Sequence, residues 1–100
     1  KGTNPEELIA AAHAGCFTMA LSAKLSEAGF PPTSLDTRAE VDLSMEDGPA
    51  FSQIRLKVKG VVPGIDAAKF QELATDAEKN CPVSKALSAV PISMEAELAG

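Results

Sequence analysis

The first third of the chain is a long apolar run with a helix start before it and a helix stop after it. The sequence NPEE at residues 4–7 offers an asparagine cap, a proline suited to the first helical position, and two carboxylates that favour the positive end of a helix. Residues 8–23 are mostly apolar, and Gly29 followed by two prolines cannot continue a helix. The pattern predicts a helix over residues 5–28.

The predicted helix is apolar on every side and not along one stripe only. Alanine occupies many of its positions, and Gly15 adds another small residue near its middle. A helix that is apolar all round has to be covered all round. The rest of this short chain can hardly cover it alone, so we expect a second chain to pack against this helix.

Two shorter segments alternate apolar and polar residues with the period of two that a half-buried strand requires. They are residues 34–45 and 51–62, separated by the turn sequence EDGP at residues 46–49. The arrangement predicts an antiparallel hairpin. Acidic residues of the first strand are expected to face basic residues of the second, namely Asp36, Glu40 and Asp42 facing Arg55, Lys57 and Lys59.

The last third of the chain predicts two further helical segments and a closing strand. Asp66 can cap a helix that runs to about residue 79, residues 83–89 favour one or two more turns, and residues 91–98 alternate as a strand. The order predicts an α+β fold with an antiparallel sheet, in one domain over residues 1–100.

Charge and composition exclude several classes of protein. Nine basic against fourteen acidic residues give a net charge of −5, and four aromatic residues leave little material for base stacking, so nucleic acid is a poor partner. The apolar run is interrupted by His13 and Thr18 and is shorter than a membrane span, so we expect no membrane partner. Two cysteines are too few for a secreted disulfide scaffold, and we expect a cytoplasmic protein.

The two cysteines are the candidates for chemistry, although a buried cysteine is usually inert. Cys16 lies in the first helix, and Cys81 precedes Pro82, where helix N–H groups would lower the pKa of a thiol. The two could form a disulfide if their Cα atoms lie within about 7 Å. His13 could pair with Cys16, but a half-buried histidine with a local partner is the commoner arrangement. One histidine and two cysteines are too few for a structural zinc site, so we expect no metal.

Two blocks of the sequence resemble the OsmC/Ohr family, the osmotically inducible and organic hydroperoxide resistance proteins. The first is GTNPEELIAAAHAGCF at residues 2–17; the second comprises VPGID at 62–66 and NCPVS at 80–84. The likeness covers essentially the whole chain, and His13 with the Gly15-Cys16 pair is closer to the OsmC branch. The resemblance implies an intertwined α+β homodimer with a long central helix and active sites at the subunit interface.

The same resemblance implies a thiol-dependent peroxidase of organic hydroperoxides and hydrogen peroxide in oxidative and osmotic stress defence. Cys16 matches the peroxidatic cysteine, Cys81 the resolving cysteine, and Glu6 an acidic residue that pairs with a thiolate-stabilising arginine. An external dithiol would reduce the disulfide, and no cofactor is expected. Because Glu6 lies ten residues and about 15 Å before Cys16 along a helix, the two cannot touch within one helix. We therefore expect either a bridging arginine or a site between subunits.

One feature departs from the family pattern. The family's arginine comes from strands before the long helix, whereas Arg38 and Arg55 lie on the outward side of the predicted strands. We expect that an upstream β segment of about 40 residues is missing or that peroxidase activity is compromised. Two alternatives stay open: a redox-sensing or thiol-exchange module without efficient peroxide turnover, and a structural dimerisation or apolar-ligand domain whose cysteines are incidental.

Overall fold

The computed structural model describes residues 4–46 and 48–99 in three helices and three strands. In chain order they are α1 Pro5–Glu27, β1 Ser34–Ser44, β2 Ala50–Val61, α2 Ala67–Asn80, α3 Pro82–Ala86 and β3 Ile92–Leu98. All six elements match predicted ones, and α3 is shorter than the predicted segment. Gly2 and Thr3 of the first family block and Asp47 of the predicted turn lie outside the described residues.

Side-chain caps begin the two longer helices where the sequence predicts them. The Asn4 side chain accepts a hydrogen bond from the Glu7 amide at 2.8 Å, and the Asp66 carboxylate accepts one from the Lys69 amide at 2.7 Å. Each bond satisfies an N–H group that a helix leaves without an internal partner. The starts of α1 and α2 are therefore local properties of the sequence.

The sheet has the order β1-β2-β3 and is mixed, which corrects the prediction of an antiparallel sheet. β1 and β2 form the predicted antiparallel hairpin, but β3 runs parallel to β2, with Leu56 opposite Met94. The reason lies in the connection, because α2 and α3 carry the chain back along the sheet before β3 begins. A crossover of this kind is what parallel neighbours require. The α+β class itself is confirmed.

The core lies between one face of the sheet and the two long helices. α1 contributes Phe17, Leu21 and Leu25, each fully buried, and α2 contributes one buried face. The residues of this core are Phe17, Leu21, Leu25, Leu56, Val58, Val62, Phe70, Leu73, Ala74, Ala77 and Cys81. Cys81 is thus the one core member that carries a reactive group.

The opposite face of the sheet is charged, as the hairpin pattern predicts. Asp36 lies opposite Lys59 and Glu40 opposite Arg55, as expected, but Lys57 lies opposite Arg38 and Asp42 opposite Gln53, so the expected pairing holds in part. The Arg55 guanidinium donates two hydrogen bonds to Asp42, at 2.7 and 2.9 Å, and one to Glu40 at 3.0 Å. These cross-strand pairs fit the register of the hairpin.

One side of α1 remains apolar and open, as expected of a helix that is apolar all round. This outer face of α1 consists of the exposed residues Leu8, Ala11, Ala12, Gly15, Met19 and Ala23. Met19 is 75% exposed and Leu8 61%. By length and composition α1 could also cross a membrane, a property that it shares with long core helices.

Candidate functional site

The fold brings the two cysteines into contact. Cys16 is half-buried on α1, and Cys81, which caps α3, is fully buried. Cys16 packs against the core cluster that contains Cys81, the Cys81 side chain acts on the Cys16 thiol, and neither cysteine forms a disulfide. The break between α2 and α3 at Cys81-Pro82 is what allows this residue to meet α1, since α3 begins there.

The start of α3 also presents a backbone donor to Cys16. The backbone amide of Val83 acts on the Cys16 sulfur and lowers the pKa of the thiol. Burial and the neighbouring Cys81 thiol raise the pKa, and together they prevail, so the pKa of Cys16 lies above that of an ordinary thiol. The sequence predicts that helix N–H groups lower the pKa of Cys81. In the structure, the Val83 amide acts on Cys16 instead.

His13 is fully buried and bonded to a residue far away in the sequence, which corrects two expectations. The sequence predicts a half-buried histidine with a local partner, whereas its side chain is 0% exposed and its Nε2 lies 2.5 Å from the Ser84 Oγ. Burial lowers the pKa of His13, and its Nδ1 has no partner among the described residues. His13 is not among the groups that shift the pKa of Cys16, so the structure shows no Cys–His pair.

Glu6 lies apart from the two cysteines. It is half-buried at the start of α1, beside an open pocket of about 430 Å³ lined also by Pro5, Leu43, Pro49, Ala50 and Phe51. Ten residues of continuous helix separate it from Cys16, about 15 Å along the axis. Its own chain therefore does not bring Glu6 to the thiol pair.

No positive charge influences Cys16 within residues 4–46 and 48–99. Arg55 is engaged by Asp42 and Glu40 on the outer face of the sheet, and Arg38 is exposed on β1. Both arginines thus face outward as predicted. The same described residues contain no cluster of three or more side chains able to hold a metal ion.

Two contributors to the site were not singled out from the sequence. Val83 and Ser84 stand two and three residues after Cys81; the Val83 amide acts on Cys16, and the Ser84 hydroxyl bonds to His13. One feature of the sequence could have indicated that Ser84 meets His13. Each of these residues lies three positions from a cysteine, His13 before Cys16 and Ser84 after Cys81. The resulting arrangement is a half-exposed thiol against a buried one, which two-electron oxidation can join as a disulfide.

Sequence and structure comparisons point to one family. The family model described as OsmC-like protein matches residues 1–95. The chain is 58% identical over 90 residues to peroxiredoxin OsmC of Escherichia coli K12, covering 89% of this chain and 63% of that protein. It thus spans somewhat less than two thirds of that curated relative.

Solved structures of similar proteins have the same fold as this chain. The organic hydroperoxide resistance protein OhrB of Bacillus subtilis superposes with a TM-score of 0.79 at 31% identity, over 99% of this chain and 72% of that one. An OsmC-like protein of Mycoplasma pneumoniae gives 0.89 at 19% identity, over 100% and 74%, which supports the fold. The match of the family model over residues 1–95 and the 58% identity to peroxiredoxin OsmC lead to one conclusion: this chain belongs to the OsmC family.

Proposed function

We propose that this protein is a thiol-dependent peroxidase that reduces organic hydroperoxides and hydrogen peroxide, with Cys16 and Cys81 as its catalytic pair. The observation that carries the proposal is the contact between the two thiols, because a peroxidatic cysteine needs a second thiol within reach. The names of the similar proteins, a peroxiredoxin and an organic hydroperoxide resistance protein, agree with peroxide as the substrate class.

The exposure of the two thiols supports the order of their roles. Cys16 is half-buried, so a peroxide can approach its sulfur, whereas Cys81 is 0% exposed. An oxidant from solution therefore meets Cys16 first. Cys81 is placed to react only with a neighbour inside the protein, as a resolving cysteine does.

The proposed reaction balances without a metal or a flavin. The Cys16 thiolate attacks one peroxide oxygen, the O–O bond breaks, an alkoxide leaves and takes up a proton, and Cys16 becomes a sulfenic acid. The Cys81 thiol then displaces the hydroxyl of the sulfenic acid, releasing water and forming a disulfide. An external dithiol reduces this disulfide by exchange and becomes a disulfide itself.

We propose further that the protein works as a homodimer that uses the outer face of α1. The exposed apolar residues there favour burial against a second copy, and a substituent at Gly15 would meet nothing within 4 Å, so space is open. In such a dimer Glu6 would act, through an arginine, on the Cys16 of the other subunit. We propose the cytoplasm as the compartment, because two cysteines are too few for a secreted disulfide scaffold, and we propose no nucleic-acid or membrane partner.

Substitution of each cysteine tests the proposed peroxidase. We expect Cys16→Ser to reduce peroxide consumption with excess dithiol to the rate measured without protein, because the attacking sulfur is gone. Assayed without dithiol, Cys81→Ser should instead stop after one peroxide per chain with a sulfenic acid at Cys16, which dimedone traps and mass spectrometry locates. Full turnover by Cys16→Ser would refute the assignment.

A redox-sensing or thiol-exchange module is the second candidate. It is favoured by the raised pKa of Cys16 and by the lack of a positive charge acting on it within the described residues, which together slow attack on peroxide. The same assay separates the two functions. A sensor consumes about one peroxide per chain and regains its thiols slowly, whereas a peroxidase continues until the dithiol is exhausted.

A further inference from the structure

The bond between His13 and Ser84 runs beside the contact between the two cysteines. On α1, His13 precedes Cys16 by three residues, so both lie on the same side of the helix. On the other segment, Cys81 caps α3 and Ser84 is its third residue. Two links therefore join the same pair of elements, one between His13 and Ser84 and one between Cys16 and the segment Cys81–Val83.

α3 depends on these links for its position. It has five residues, and a helix of that length is not stable by itself. Pro82, Lys85 and Ala86 are exposed, whereas Cys81 is fully buried, Ser84 is 5% exposed and Val83 is half-buried. The Ser84 hydroxyl is thus one of three anchors, and the other two are the residues that contact Cys16.

The partner of Ser84 is well suited to hold it. His13 is 0% exposed, and its Nε2 forms its one hydrogen bond among the described residues, at 2.5 Å from the Ser84 Oγ. A buried ring nitrogen that loses this bond finds no water to replace it, so the bond resists breaking. His13 itself sits in the middle of a 23-residue helix and cannot easily shift.

We propose that His13 is a positioning residue, which holds α3 through Ser84 so that the Val83 N–H and the Cys81 thiol both reach Cys16. His13 acts through the segment it holds and not on the thiol itself, since it does not shift the pKa of Cys16. Only the effect of His13 on catalysis depends on the proposed peroxidase function; its effect on the position of α3 does not. The placement of the Val83 donor can be measured without any peroxide.

Alkylation of Cys16 across a pH series measures that placement. In a Cys81→Ser background, Ser84→Ala should move the midpoint of iodoacetamide reaction to higher pH and slow the reaction at pH 7.5 about tenfold, because the Val83 amide that favours the thiolate is no longer held beside it. Ser84→Thr keeps the hydroxyl and should restore the profile in part or in full. Ser88→Ala changes an exposed serine two residues beyond α3 and should leave it unchanged.

The lifetime of the sulfenic acid measures the placement of Cys81. With both cysteines present, one equivalent of peroxide is added and dimedone is supplied after increasing delays. Ser84→Ala should extend the period during which Cys16 can be trapped about tenfold, because Cys81 is no longer held against it. His13→Gln, which changes the other end of the bond, should act in the same direction.

Failure of the positioning role of His13 and failure of the proposed peroxidase function give different results in these experiments. All measurements are made below the unfolding midpoint of each variant, and if one variant does not fold, the other is decisive. An unchanged alkylation profile in a folded Ser84→Ala or His13→Gln protein overturns the proposal and leaves the bond as packing only. If peroxide oxidises none of the proteins, including the unsubstituted chain, the peroxidase proposal fails while the alkylation profile still decides the role of His13.

Discussion

The thiol of Cys16 is subject to opposing influences from its own chain. The Val83 amide stabilises the thiolate, whereas burial and the Cys81 thiol stabilise the neutral form and prevail. Because the thiolate is the nucleophile, this environment by itself favours a slow reaction with peroxide. The proposed mechanism therefore needs a positive charge that the described residues do not place beside Cys16.

His13 should make the protein less stable as the pH falls. Burial lowers its pKa below the 6.5 of an exposed histidine, so the unfolded chain takes up a proton that the folded protein refuses. Stability should therefore be complete above pH 6.5 and decline as the pH falls below it, by at most about 1.4 kcal/mol at pH 5.5. Urea unfolding at pH 7.5, 6.5 and 5.5 measures the decline.

The control uses the fact that His13 is the single histidine of the chain. His13→Gln lacks the titrating ring and should lose most of the slope between pH 7.5 and 5.5, whatever its absolute stability. Carboxylates titrate mainly at lower pH and contribute little in this interval. An undiminished slope in the variant would assign the pH dependence to other groups.

At the scale of elements, the contact between α2 and β2 depends on a position without a side chain. A Cβ at Gly60 would lie 2.8 Å from the ring of Phe70 and 3.1 Å from Leu35, closer than such atoms approach. Phe70 is buried at the centre of the core and cannot move away freely. We expect Gly60→Ala to destabilise the protein by about 1–3 kcal/mol in urea unfolding.

A double-mutant cycle tests whether the ring is the cause. Phe70→Leu removes the distal ring atoms that the new methyl group would meet, at the cost of a small cavity. Combined with Gly60→Ala it should be less destabilising than the sum of the two single variants, with a coupling of about 1 kcal/mol. Strictly additive effects would place the strain elsewhere, for instance at Leu35.

The elements themselves follow largely from local sequence. The caps at Asn4 and Asp66 and the period of two in the strands depend on neighbours along the chain, so the six elements could be predicted. The direction of β3 could not be predicted from the sequence, because a strand has the same alternating pattern in a parallel and in an antiparallel pair. Only the path of α2 and α3 across the sheet decides it.

At the scale of the whole molecule, the outer face of α1 separates a monomer from the proposed homodimer. Met19 is the most exposed of its large apolar side chains, and under the proposal it is buried against the second copy. Met19→Glu would bury a carboxylate in that interface and should convert the dimer to a monomer at micromolar concentration. Sedimentation velocity measures the change.

A matched variant places the same charge elsewhere. Gln71 is exposed on α2, away from the outer face of α1, and Gln71→Glu should leave the oligomeric state as it is. If the unsubstituted chain and Met19→Glu sediment identically, the homodimer through this face is wrong. That result would leave the intrachain contact of Cys16 and Cys81 untouched, because both residues belong to one subunit.

The sequence alone determined the elements, the excess of apolar surface on α1, and the two cysteines as the candidates for chemistry, because each is a property of residue type and spacing. The tertiary structure decided which groups meet. Contacts between residues 13 and 84, or 16 and 81, close loops of more than sixty residues, and no local pattern encodes such a closure. It also decided that the Val83 amide acts on Cys16 and that Glu6 lies apart from the two cysteines. Both depend on how α3 packs against α1 and not on either segment by itself.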